Sequence, residues 1–159
     1  MSTGERRGRG VVLDRVDRAI VGELQRDGRT SFRTIATRVG VSEATVRNRY
    51  NALVEAGILQ VTAVTDPLRL GYESLAMLAL TTAGRAEEVT TKLGAFTEVS
   101  YVVITAGHAD VLVELVCRDR RHLLETIERV RAIPEVVSAQ AAVYLDLKKQ
   151  QYDWRPLAD

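Results

Sequence analysis

The sequence predicts an α+β protein, with an N-terminal winged-type helix-turn-helix domain followed by a ferredoxin-like βαββαβ domain. Three observations predict it. Thr30 to Gly57 reads as two short helices around a glycine turn. Beyond it, strand-like apolar runs alternate with two amphipathic helices. Charge divides the chain at the same place: residues 1–58 hold eleven arginines, no lysine and seven acids, a net of +4. Residues 59–159 are net −3, which leaves +1 for the whole.

Taken in order, residues 1–12 form a basic glycine-rich arm with Arg6, Arg7 and Arg9. Such an arm is either a terminus without a role or a minor-groove contact. The helix-turn-helix domain spans residues 13–58. Its first helix, Leu13 to Asp27, carries an apolar stripe of Leu13, Val16, Ile20 and Leu24, able to cover two helices too short to bury a core themselves. Ser31 caps a second helix with Phe32, Ile35, Ala36 and Val39 at helical spacing, and Gly40 ends it. Val41 plugs the corner. Ser42 caps a third helix running to about Ala56, closed by Gly57.

Residues 59–72 are expected as a linking strand and loop, because Ile58 to Thr65 is rich in β-branched residues before Asp66 and Pro67 break it. Residues 73–149 follow as the second domain and 150–159 as a tail. The pattern there is strand Ser74 to Thr82, helix Arg85 to Leu93, strands Val99 to Ala106 and Val111 to Cys117, helix Arg121 to Ile133 and strand Val136 to Leu147. That order is the ferredoxin-like plan, with both helices on one sheet face. The helices are amphipathic through Ala86, Val89 and Leu93 and through Leu123, Ile127 and Val130, with Leu124 and Ile133 at the margins. The strands are apolar on both alternating sets, so the other face also needs a cover. A second copy of the chain is the economical cover, giving a dimer that offers two reading helices to a roughly palindromic site.

The chemistry lies on the third helix. Val46, Tyr50 and Leu53 recur at steps of four and three and face the core. Ala44, Arg47, Asn48 and Asn51 then lie on the opposite side, where they can meet base edges in a major groove. Arg47 suits guanine and Asn48 adenine, while Arg49 at the flank suits a phosphate. Glu43 favours the helix dipole and can also accept from cytosine. With Ser42 and Thr45 of the first turn, the candidate DNA-contacting set is Ser42, Glu43, Ala44, Thr45, Arg47, Asn48, Arg49 and Asn51.

Other function classes lack their residues. His108 and His122 have no partner at metal-ligand spacing, Gly107 lies in no phosphate loop, and Glu114 stands alone in an apolar strand. No catalytic residue, metal or cofactor is expected, and His122 reads as a surface residue. Cys117, the one cysteine, reads as a small buried hydrophobe. No run of eighteen apolar residues and no signal region occurs, so a cytoplasmic protein without membrane contact is expected.

The ordered set Leu13-Asp14 with Asp17, Ile20, Leu24, Asp27-Gly28-Arg29, Val39-Gly40-Val41-Ser42, Thr45-Val46-Arg47 and Ala56-Gly57-Ile58 resembles the Lrp/AsnC (feast/famine) transcriptional regulators. The resemblance covers roughly Leu13 to Lys149. It implies a helix-turn-helix, a linking strand and a C-terminal domain that forms homodimers and assembles further to tetramers or octamers. It also implies a small-molecule effector, commonly an amino acid, bound between dimers. Carried over by the family's Gly-x-x-Asp turn, the effector segment is Thr105, Ala106, Gly107, His108, Ala109 and Asp110, with Gly107 and Asp110 matching. Gly107 would bring amides near a carboxylate and Asp110 would meet an ammonium group; a plain hairpin turn is the competing reading. Ala109 stands where the family usually has an aromatic, and Glu135-Val136 after Pro134 departs from its Pro-Gly-Val pattern. The alternative function is an oligomeric small-molecule-binding module with degenerate DNA binding.

Overall fold

The computed structural model describes residues 13–149, so the expected basic arm and tail lie outside the described residues. The chain divides into two compact units, with the boundary between Ala63 and Val64.

The first unit is three helices, α1 (Arg15–Arg26), α2 (Phe32–Val39) and α3 (Glu43–Glu55). Each begins on a side-chain cap that satisfies amides with no partner inside the helix. Asp14 and Asp17 form a reciprocal capping box on α1, with N–H to carboxylate distances of 2.9 and 3.2 Å. Ser31 accepts from the Thr34 amide at 3.1 Å and Ser42 from the Thr45 amide at 3.0 Å. Gly40 ends α2 at φ +78°, a left-handed conformation that any Cβ would strain. The core joins Ile20, Val21 and Leu24 of α1, Ile35 and Ala36 of α2, and Val46 and Leu53 of α3; Val41 packs in from the turn. Isolated helices this short are marginal in water, so burial of this shared core holds them.

Within the single chain no strand is present at the expected Ile58–Thr65. A β-branched segment becomes a strand only beside another that completes its hydrogen bonds, and the sheet takes none of its four strands from here. Val61 and Val64 are exposed instead. The first unit therefore contains no strand, and no wing, among its described residues. A short 3-10 turn follows at Leu68–Leu70, ended by Gly71 at φ +93°.

The second unit runs β1 (Ser74–Thr82), α4 (Ala86–Leu93), β2 (Val99–Ile104), β3 (Val111–Cys117), α5 (Arg120–Arg131) and β4 (Val136–Val143). The sheet is antiparallel in the order β2-β3-β1-β4, the ferredoxin-like arrangement. Leu78 pairs with Val113 and with Ala141, and Val102 with Val113. β4 stops at Val143, short of the expected Leu147, because its partner β1 has run to its start: the Tyr144 amide donates to the Leu75 carbonyl at 2.8 Å and little strand remains beyond. Among the described residues no helix is long and apolar enough to cross a membrane.

Ala76, Leu78, Leu80, Val111, Val113, Leu115 and Cys117 point to one sheet face, where Val89 and Leu93 of α4 and Leu123, Ile127 and Val130 of α5 cover them. Cys117 is fully buried there, and burial pushes its thiol pKa up, so it is the inert hydrophobe expected. The alternate residues Leu75, Met77, Ala79, Leu112, Glu114 and Val116 form the other face, with Val103 opposite Leu112. Glu114 is not alone on it. The Tyr144 hydroxyl donates to its carboxylate at 2.9 Å and the Ser100 hydroxyl at 2.7 Å. Burial and then Glu114 push the Tyr144 phenol up to about 12.

His122 departs from expectation as well. Its side chain is mostly enclosed, and Nε2 lies 3.0 Å from the carboxylate of Glu98, itself 8% exposed. Arg129 donates to the same oxygen at 2.7 Å while lying 4.4 Å over the Phe96 ring. Sequence spacing could not reveal this, because Glu98 is 24 residues from His122. Burial raises the Glu98 pKa, but its own backbone amide, Arg129 and His122 outweigh burial and hold it at about 2. The folded value lies below the ordinary 4.5, so the stabilisation is complete above pH 4.5 and is lost as pH falls through about 2. Circular dichroism during acid titration should show Glu98→Gln less stable than wild type at neutral pH but with a smaller acid-dependent loss between those values. Equal slopes would contradict this role.

Candidate nucleic-acid interface

The acids of α1 decide which arginines of the first unit are free. Arg49 is held at 3.0 Å by Asp14 and at 3.6 Å by Asp17, and Arg38 and Arg26 both pair with Glu23. The Asp17 amide, and then Arg49, hold Asp14 below the usual carboxylate range despite opposing desolvation, and Arg38 is the main cause that lowers Glu23. These contacts fasten α2 and α3 to α1. Arg49, read from sequence as a phosphate contact, is thereby already engaged with carboxylates.

Arg47 is placed differently. Its guanidinium lies 3.1 Å from Glu43 one turn earlier and 5.3 Å over the Phe32 ring, with the side chain still 58% exposed. Asn48 and Asn51 are exposed, and their side-chain amides have no partner among the described residues. Ala44 is exposed beside them. The core-facing Val46 and Leu53 are buried, which turns this group outward as the helical period requires. Ser42 and Thr45 are engaged with each other, their hydroxyls 2.8 Å apart, as part of the cap. The structure thus gathers Glu43, Ala44, Arg47, Asn48 and Asn51 on one accessible side, while Ser42 and Thr45 mark the positive end of α3.

Two cations escaped the sequence reading. Arg33, next to Phe32 on α2, and Arg29, whose backbone amide bonds to Asp27 at 2.9 Å, expose side chains that no acid among the described residues engages. The signal was available only after α1 had claimed its three arginines. Arginines left unpaired beside a reading helix are suited to phosphate contacts.

The segment proposed for an effector is a closed hairpin end. The Thr105 amide donates to the Asp110 carbonyl at 2.8 Å, and the Thr105 hydroxyl to the Ala109 carbonyl at 2.6 Å. Asp110 Oδ2 accepts from the Thr82 amide at 2.7 Å and faces its hydroxyl at 3.3 Å. Asp110 therefore ties the turn to the end of β1. Ala109 is buried, whereas Ala106, Gly107 and His108 are exposed. Two clefts of the second unit lie away from this turn, one of about 120 Å³ beside Leu75 and Tyr144 and one of about 340 Å³ beside Arg131 and Val137.

Comparison with known proteins agrees along the chain. The AsnC-type helix-turn-helix domain matches residues 13–54, and a C-terminal dimeric alpha+beta barrel domain of AsnC-type regulators matches residues 83–157. An HTH-type transcriptional regulator of Pyrococcus horikoshii is 34% identical over 147 residues, 91% of this chain and 93% of that protein. The transcriptional regulator FL11 of the same organism is 32% identical over 142 residues, 88% of this chain and 94% of its own. Among solved structures, the leucine response regulatory protein LrpA of Mycobacterium tuberculosis is similar with a TM-score of 0.84 and 26% identity, covering 91% of this chain and all of that one.

Proposed function

The chain belongs to the Lrp/AsnC family of DNA-binding transcriptional regulators, and from that premise we propose that it reads a specific duplex sequence through the outward side of α3. One observation carries the reading: Arg47, Asn48 and Asn51 are exposed together, opposite the buried side of the helix. Arg47 recognises guanine and Asn48 adenine by paired hydrogen bonds, while Arg29 and Arg33 hold phosphates. Two copies associate through the apolar outer sheet face, presenting two reading helices to a roughly palindromic site, and the dimers assemble further.

The effector is a small molecule, an amino acid by the family likeness, bound between dimers so as to change assembly or helix spacing. Within the hairpin end, Asp110 shapes the turn through Thr82, and the exposed Gly107 and His108 are the groups open to a ligand. Thermal-shift screening against the twenty amino acids, with light scattering on each hit, tests this; no stabilisation by any of them removes the amino-acid effector.

Readout is tested by a mobility shift with DNA from upstream of the protein's own gene, in low and moderate salt. Arg47→Ala and Asn48→Ala should each lose about 1–3 kcal/mol of preference over unrelated DNA. Equal, weak binding by all three proteins would point instead to an assembly module with degenerate DNA binding.

A further inference from the structure

Base readout by arginine needs the guanidinium plane in one orientation, yet a free arginine side chain samples many rotamers and gives up that freedom when fixed. Arg47 is not free. The Phe32 ring lies 5.3 Å beneath its guanidinium and Glu43 accepts from Nη2 at 3.1 Å. Phe32 is itself fixed, half-buried against the first-unit core and tilted at 50° to the Tyr50 ring with centroids 5.0 Å apart. Tyr50 stands on α3, three residues beyond Arg47. The ring that steadies the guanidinium is thus locked by the helix that carries it.

We propose that Phe32 is a specificity-determining positioning residue: an aromatic platform on α2 that, with Glu43, presents the Arg47 guanidinium in one orientation to the base it reads. This rests on the proposed readout by Arg47. It assigns to α2 a part in sequence discrimination without any contact between Phe32 and DNA. A guanidinium over an aromatic face is held by the ring quadrupole, and Glu43 restricts rotation about the remaining bonds. With both contacts in place the Arg47 side chain is still 58% exposed. Preorganisation of this kind acts on the difference between right and wrong duplexes, since phosphate binding needs only the charge.

The test is a double-mutant cycle with the full-length protein. The probes are a duplex selected from random sequence by the wild type and a scrambled duplex of equal length, compared by fluorescence anisotropy at several salt concentrations. Phe32→Leu removes the ring face and keeps an apolar side chain in the core. It should lower the ratio of the two affinities about two- to fivefold, the span of an exposed cation–π contact, and leave the salt slope and the scrambled-duplex affinity unchanged. Phe32→Tyr should restore the ratio. In an Arg47→Ala background, Phe32→Leu should have no further effect on the ratio.

An equal loss with and without Arg47, or no loss in Phe32→Leu while Arg47→Ala does lose preference, overturns the platform and leaves readout by Arg47 standing. An unchanged ratio in Arg47→Ala itself overturns the underlying readout. Should Phe32→Leu lower the thermal midpoint enough to reduce the folded fraction, Glu43→Gln decides the matter from the surface. It should then lower the ratio by weakening the same orientation, and an unchanged ratio overturns the proposal.

Discussion

Leu112→Asp should leave a folded monomer that no longer shifts DNA at concentrations where the wild type does. Leu112 stands on the outer sheet face, between Ala79 of β1 and Val103 of β2. Within one protomer it is only partly covered, so the carboxylate can still reach water and the α4–α5 side of the sheet is untouched. In the proposed dimer the same position lies in the middle of an apolar contact. An unpaired charge there costs on the order of 3 kcal/mol or more, which raises the dimer dissociation constant at least about a hundredfold. DNA affinity falls with it because one reading helix replaces two. Analytical ultracentrifugation with circular dichroism checks both halves, and an intact dimer in the variant would place the self-association surface elsewhere.

Ile20→Ala should act on the other unit. Ile20 is fully buried where α1 covers α2 and α3, and the cavity left by such a truncation costs about 2–5 kcal/mol. A three-helix unit of this size has little stability to lose, since small domains bury a smaller share of their surface. Each unit has its own core cluster. DNA binding should therefore be lost while the dimer persists, and calorimetry should show one transition displaced downward and one unmoved. A single transition displaced as a whole would mean that the two units fold as one.

The parts legible in the sequence were those fixed by local chemistry. Ser31, Ser42 and Gly40 announced helix ends because capping and left-handed backbone depend on the residue itself. Val46 and Leu53 announced a buried side because helical period converts spacing into direction. The βαββαβ order followed in the same way from changes of period. What escaped reading depended on residues brought together by the fold. Asp14 and Asp17 claim Arg49, Glu98 encloses His122, and Tyr144 and Ser100 complete Glu114. Ile58–Thr65 is unpaired within one chain for the complementary reason, because propensity is present and a neighbouring strand of the same chain is not. Asp110 shows both sides: its place in a turn was readable, whereas its bond to Thr82, 28 residues away, was not.

Atomic substitution in the DNA bears most directly on the outward side of α3. Each guanine of the selected duplex is replaced in turn by 7-deazaguanine, which lacks the N7 acceptor, and affinity is measured for the wild type and for Arg47→Ala. Readout by Arg47 predicts one guanine in each half-site where the wild type loses about fivefold or more, on the order of 1 kcal/mol for a lost hydrogen bond, and where Arg47→Ala is indifferent. Identical sensitivity of the two proteins at every guanine would contradict it.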